Sequence, residues 1–286
     1  MTFPSWTLLA QSILAGVFTG ALYGLLGLGL GLSWGLLRTI NLAHFALAFI
    51  AAYICWQLGA SMKMDPFVTL VAIVPLMFGA GAGLHALIER FRLTPFSSLL
   101  LTFGCMGIAE SFMQSIWTAD PRKLESHWSD LKFRAGPLFV PIPELLTLIL
   151  AIVVCFGAWA MLRYTDLGKA LRASAEDAAV AAAFGINQRR NGYVLAGTCA
   201  ALAGIAGVCI ALAGSISPSQ MYAWIGVVFA AVMMGGLGSA LGPLAAGLVI
   251  GVSEAVTMAV TSPSWAPLVS FTLLILILLA RPGRAA

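Results

Sequence analysis

The stretch Thr7–Leu37, TLLAQSILAGVFTGALYGLLGLGLGLSWGLL, carries no charged residue. A helix needs about 20 predominantly apolar residues to cross the hydrocarbon core of a membrane. The stretch is therefore long for one crossing and short for two. Outward from it, apolar spans recur at roughly 8–31, 40–60, 67–88, 96–117, 144–163, 192–214, 222–236, 242–261 and 266–280. Over the whole chain 60% of residues are hydrophobic and 9% are charged, against about 25% charged in ordinary soluble domains. So few charges cannot cover a soluble exterior. The expected fold is all-α, a polytopic membrane protein of about eight or nine transmembrane helices forming one domain over 1–286. The net charge of +4 lies in short loops between spans, not on the continuous basic face that nucleic acid requires.

Several chemistries find no support. Cys55, Cys105, Cys155, Cys199 and Cys209 all lie in apolar runs without a CxxC pair, so they read as small packing residues and not as disulfides or metal ligands. No HExxH and no GxxxxGK[ST] occurs, so neither a zinc protease nor an ATP phosphate cradle is expected, and no cofactor or metal is assigned to this chain. Gly31-Leu32-Ser33-Trp34-Gly35 matches the pattern of a nucleophile elbow, but that chemistry needs a strained strand-to-helix turn and this pentapeptide sits in a helical run. No Lys or Arg precedes Arg38, so no secretory signal is expected.

Lys and Arg concentrate on the cytoplasmic side of membrane proteins. With the loop 118–143 outside, Arg38, Arg90, Arg92, Arg163, Lys169, Arg172, Arg189, Arg190, Arg281 and Arg284 fall inside, leaving Lys63, Arg122, Lys123, Lys132 and Arg134 outside. The C-terminus is then cytoplasmic and the N-terminus external.

Small residues recur at helical spacing, at Gly16, Gly20 and Gly24, at Gly27, Gly31 and Gly35, and at Gly247 and Gly251. Such ladders let helix backbones approach closely in lipid. Two interruptions stand out: the polar knot Arg38-Thr39-Ile40-Asn41-Leu42-Ala43-His44-Phe45, and the glycine cluster Gly235-Gly236-Leu237-Gly238-Ser239-Ala240-Leu241-Gly242-Pro243. Broken helices are expected near 38–45 and 235–243, because paired interruptions in the two halves of a transporter point to a solute path. A plain turn between helices is the other reading of each. A third feature is the segment 165–190. Asp166 is expected to cap one helix over Leu167–Phe184, with Arg172 and Glu176 at i,i+4 and Gly185 as its stop. Glu110 and Glu254 fall within spans, where charges are costly and face a cavity or a partner. His85 reads as interfacial, near Glu89 and Arg90.

These residues bear a specific resemblance. The chain resembles, from about residue 12 to its end, the shorter of the two permease subunits of branched-chain amino acid ABC importers, a family that also handles urea and short amides. The Ile-Asn-(Phe/Leu)-Ala-His-Gly motif is matched by Ile40-Asn41-Leu42-Ala43-His44. The Leu-Arg-Ala-x-Ala-Glu-Asp segment ending in Gly-Ile-Asn is matched by Leu171-Arg172-Ala173-Ser174-Ala175-Glu176-Asp177 and Gly185-Ile186-Asn187. Gly-Gly-x-Gly-Ser-x-x-Gly is matched over Gly235–Gly242, and Gly-(Ile/Val)-x-Glu by Gly251-Val252-Ser253-Glu254. Phe45 departs from the family glycine, and the tail Arg281-Pro282-Gly283-Arg284 is short.

The resemblance implies a translocation subunit of a bacterial inner-membrane importer, not an enzyme. It implies a second homologous permease, two cytoplasmic ATPases that bind ATP and Mg, and a periplasmic solute-binding protein. ATPase coupling would fall to Leu171, Arg172, Glu176, Asp177, Gly185 and Ile186. The solute path would involve Asn41, His44, Phe45, Glu110, Gly236, Gly238, Ser239, Gly242 and Glu254, with Asn41 and Ser239 near each other at the bundle centre and Phe45 a narrow wall. An ion-coupled secondary transporter and an intramembrane hydrolase built on Ser33 and His44 are the alternatives.

Overall fold

The computed structural model describes residues 5–128, 131–262 and 265–280. Pro263 and Ser264, expected in the turn between the last two spans, lie outside the described residues, as do Arg281 and Arg284. Nine apolar helices match the nine spans: α1 (Trp6–Leu37), α2 (Ala43–Met62), α3 (Pro66–Arg90), α4 (Pro95–Trp117), α5 (Ile142–Tyr164), α8 (Gln188–Ala213), α9 (Gln220–Gly235), α10 (Gly242–Val260) and α11 (Ala266–Ala280). Two short helices, α6 (Asp166–Glu176) and α7 (Ala178–Ala183), lie between α5 and α8. Seven of the apolar helices are long enough to span a membrane, and α9 and α11 are shorter.

Local chemistry sets the helix starts. Asp65 and Thr94 cap α3 and α4 with their side-chain oxygens, each followed by a proline at the first helical position. That position needs no N–H donor and suits the fixed φ of proline.

The core is built on α1 and α8. α1 packs antiparallel on α10 through the first glycine ladder. A Cβ placed on Gly16 would stand 2.6 Å from the Gly251 carbonyl oxygen, and one on Gly24 would stand 2.6 Å from Leu244 Cα. No residue larger than glycine fits this approach without moving a backbone. α2 and α3 pack on α8, where Gly207 meets Ala51 and Gly204 meets Met77. Outward faces of α3, α4 and α11 carry large apolar side chains such as Val71, Ile108 and Leu279, each more than 70% exposed, as a lipid-facing surface requires. Cys55, Cys155, Cys199 and Cys209 are buried packing residues.

Two details differ from the sequence reading. The 118–143 loop contains strands: β2 (Lys132–Ala135) and β3 (Leu138–Pro141) form a hairpin, and β1 (Arg122–Lys123) pairs antiparallel with β4 (Ser215–Ile216) beyond α8. Gln11 of α1 clasps this hairpin, donating to the Phe139 carbonyl at 2.8 Å and accepting from the Phe139 N–H at 3.0 Å. The 165–190 segment is two helices, not one. Thr165, not Asp166, caps α6, accepting from the Gly168 N–H at 3.1 Å. The extended backbone of Asp177 then ends α6 and restarts the chain as α7, its carboxylate accepting from the Ala179 and Val180 N–H groups. An aspartate that satisfies two free donors makes a better helix start than a helix interior. Gly185, at φ 82°, closes α7 as expected.

Candidate functional site

The two interruptions differ in kind. Arg38 ends α1 in the left-handed region, at φ 55°, and turns the chain back alongside the helix it has left. The Ser33 hydroxyl donates to the Thr39 carbonyl at 3.4 Å. His44, in the first turn of α2, has Nε2 3.1 Å from the Leu26 carbonyl oxygen and stands against Gly29. Leu26 precedes the end of α1 by eleven residues, so the His44 ring meets α1 about 16 Å inside that end. Residues 39–42 thus run unwound within the bundle, where freed backbone groups need partners. Thr102 of α4 serves two of them, accepting from the Leu42 N–H at 3.1 Å and lying 3.4 Å from the Ile40 carbonyl. Asn41 Oδ1 is buried with no partner.

Ser33 and His44 each engage a backbone carbonyl, not one another. Phe45 has no exposed surface and packs edge-on to His44, 6.2 Å between ring centres. It is a core residue of the chain.

The second interruption is a compact turn. Gly236 and Gly238 have φ of 90° and 75°, which only glycine adopts readily. The Ser239 hydroxyl accepts from the Gly242 N–H at 3.0 Å, and the Gly238 N–H donates to the Gly31 carbonyl at 3.1 Å. The second glycine ladder, through Gly35, makes room for this crossing. Asn41 and Ser239 are set against different helices, since the residues flanking Asn41 meet α4 while Ser239 faces α5 and α6.

What the structure brings together is α6 and both interruptions. One cavity of about 270 Å³ lies between Arg38, His85 of α3, Glu176 of α6, and Gln188 and Asn191 of α8. Another, of about 420 Å³, lies between Arg163 of α5, Arg172 of α6, and Gly238 and Ser239. Arg172 and Glu176 therefore point to separate cavities, and the ion pairs among the described residues are Lys169–Asp166 and Arg189–Glu89. Leu171 is buried beneath α6, whereas Phe184, beside Gly185, is 84% exposed. The sequence signal for Phe184 was available: a lone aromatic in an alanine-rich polar segment.

The two intramembrane acids also differ. Glu254 is buried between α1, α10 and α11, accepting from the Tyr23 hydroxyl at 3.0 Å and from the Ser270 hydroxyl. Its partners are complete within the chain. Glu110 is partly exposed on α4, hydrogen-bonded by Tyr222 of α9 at 2.9 Å and by Gln114 at 3.1 Å. Ser111, Gln114 and Ser115 continue a polar strip along the exposed side of α4, among apolar neighbours.

A family model described as branched-chain amino acid transport system / permease component matches residues 12–278. The high-affinity branched-chain amino acid transport system permease protein LivH of Salmonella typhimurium is 29% identical, over 95% of this chain and 93% of its own. LivH of Escherichia coli K12 is 28% identical over the same shares, and BraD of Pseudomonas aeruginosa is 27% identical over 95% of this chain and 94% of its own. No solved structure matches the chain.

Proposed function

The chain belongs to the family of permease components of branched-chain amino acid transport systems, and we propose that it supplies one half of the gated path of an ABC importer. The solute would be small and amino-acid-like, a branched-chain amino acid, urea or a short amide. A second homologous permease would supply the other half. Two ATPases would bind ATP and Mg on the cytoplasmic face, and a periplasmic binding protein would deliver solute. The membrane would be the bacterial inner membrane, with the hairpin end and N-terminus external and the α6 end and C-terminus cytoplasmic.

The observation that carries this reading is the unwound segment 39–42 inside the bundle, joined through Arg38 to an exposed amphipathic helix at one end. Irregular backbone at membrane depth is tolerated where it is buried in protein or lines a water-filled cavity, and the buried Asn41 oxygen can receive one N–H from a passing solute. α6 and α7 present Arg172, Glu176 and the exposed Phe184 as a grip for a soluble motor. The polar strip of α4 around Glu110 suits an aqueous lumen or a second permease better than lipid. The chain carries no phosphate-binding loop of its own, so energy enters through partners.

Reconstitution tests this. Uptake into vesicles should require ATP and the ATPase subunits, and gentle purification should bring down both the ATPases and the second permease. Concentrative uptake by the two permeases without any ATPase would overturn the proposal.

A further inference from the structure

α6 ends without a cation from its own sequence. Its last turn carries no basic residue and instead holds Glu176, the wrong sign for the negative end of a helix dipole. Its final carbonyls lack intrahelical donors. The missing cation comes from a distant part of the chain, as Arg38 Nη2 donates to the Ala175 carbonyl at 2.8 Å. Arg38 is also the left-handed residue at which the chain turns back into the bundle, three residues before Asn41.

From this we infer that Arg38 is the mechanical link between the ATPase-gripping helix and the unwound segment, so that a displacement of α6 moves residues 39–42. The inference rests on the proposed importer function and names the residue that couples its two parts. Three observations carry it. The donor is charged and the acceptor is a helix-terminal carbonyl, a strong pairing. The tie borders a cavity of about 270 Å³ lined by Arg38 and Glu176, so it bridges a gap between the end of α1 and α6. Beyond Arg38 the segment is held at each step, by Ser33 at Thr39, by Thr102 at Ile40 and Leu42, and by Leu26 at His44. A shift of Arg38 therefore strains these contacts.

The test uses the complete importer with Arg38→Gly and Arg38→Lys. Glycine adopts φ near 55° without strain, so Arg38→Gly removes the tie and keeps the turn. Lysine retains a charged donor of similar reach. Uptake, ATP hydrolysis and co-purification of the ATPases are measured together. The expected result for Arg38→Gly is retained assembly and hydrolysis, with solute moved per ATP down by roughly tenfold, within the range typical of coupling between sites. Arg38→Lys should recover most of that ratio. A merely structural cap would lower uptake and hydrolysis in proportion, leaving the ratio unchanged, and that outcome overturns the inference. Should Arg38→Gly fail to assemble, Arg38→Asn is the second variant, since Asn tolerates this backbone region and is too short to reach Ala175; failure of both to assemble while Arg38→Lys assembles also overturns it. Loss of ATP-dependent uptake in the unmodified importer would instead refute the proposed function itself.

Discussion

Segments 38–42 and 236–241 interrupt equally apolar sequence, yet one is held by polar side chains and the other is built from glycine. In 236–241 the glycines answer a geometric demand. Two residues need positive φ, and the ends of α9 and α10 approach so closely that Gly242 has no room for a Cβ beside Gly235. In 38–42 no glycine occurs. Its positive φ is held by an arginine, its backbone groups are met by side chains of other helices, and one amide oxygen is left over. Glycine-rich breaks thus read as steric solutions, and breaks made of polar side chains as unsatisfied chemistry held open.

Three substitutions sharpen or break that contrast. The largest effect should come from Phe45→Ala. Phe45 is fully buried, so truncation should cost about 3–5 kcal/mol of stability, read as a lowered melting temperature in detergent. A Phe45→Ala protein of unchanged stability with a broadened solute range would restore Phe45 to the solute path. Next is Gly242→Leu, which forces α9 and α10 apart and should cost about 1–3 kcal/mol through overpacking. It should lower melting temperature and uptake together, as a structural turn requires; selective loss of uptake would make the turn functional. The smallest change in stability belongs to Asn41→Leu. Replacing a half-buried amide whose oxygen is unpaired by an apolar side chain of similar size should be nearly neutral, within about 1 kcal/mol. Uptake should nevertheless fall severalfold. Normal uptake with Leu at 41 would reduce this break to another turn.

Much of this was legible in the sequence. The spans follow from long uncharged runs, and close helix packing from glycines spaced four apart, since lipid leaves packing as the main force between helices; that the Gly16 and Gly247 ladders meet each other came from the structure. Both interruptions were visible as composition. Their depth was not, because depth depends on the direction taken after Arg38, set by one left-handed residue that is not glycine. The neighbours of the two breaks were not legible either: Thr102 of α4 meets the residues flanking Asn41, and Arg163 and Arg172 stand beside Ser239. Asp177 hid a second helix start inside an alanine-rich run that reads as continuous. Glu110 and Glu254 looked alike as acids in spans, and their burial and their partners separate them. That Phe45 is fully buried within the chain was not legible from its motif position.

One further consequence follows from α1. Its 32 residues make a rod of about 48 Å, longer than the hydrocarbon core of about 30 Å that it crosses. Arg38 grips α6 at one tip, and Gln11 clasps the β2–β3 hairpin near the other. No proline and no left-handed residue interrupts the helix between them. One continuous helix thus joins the contact with α6 to the contact with the hairpin.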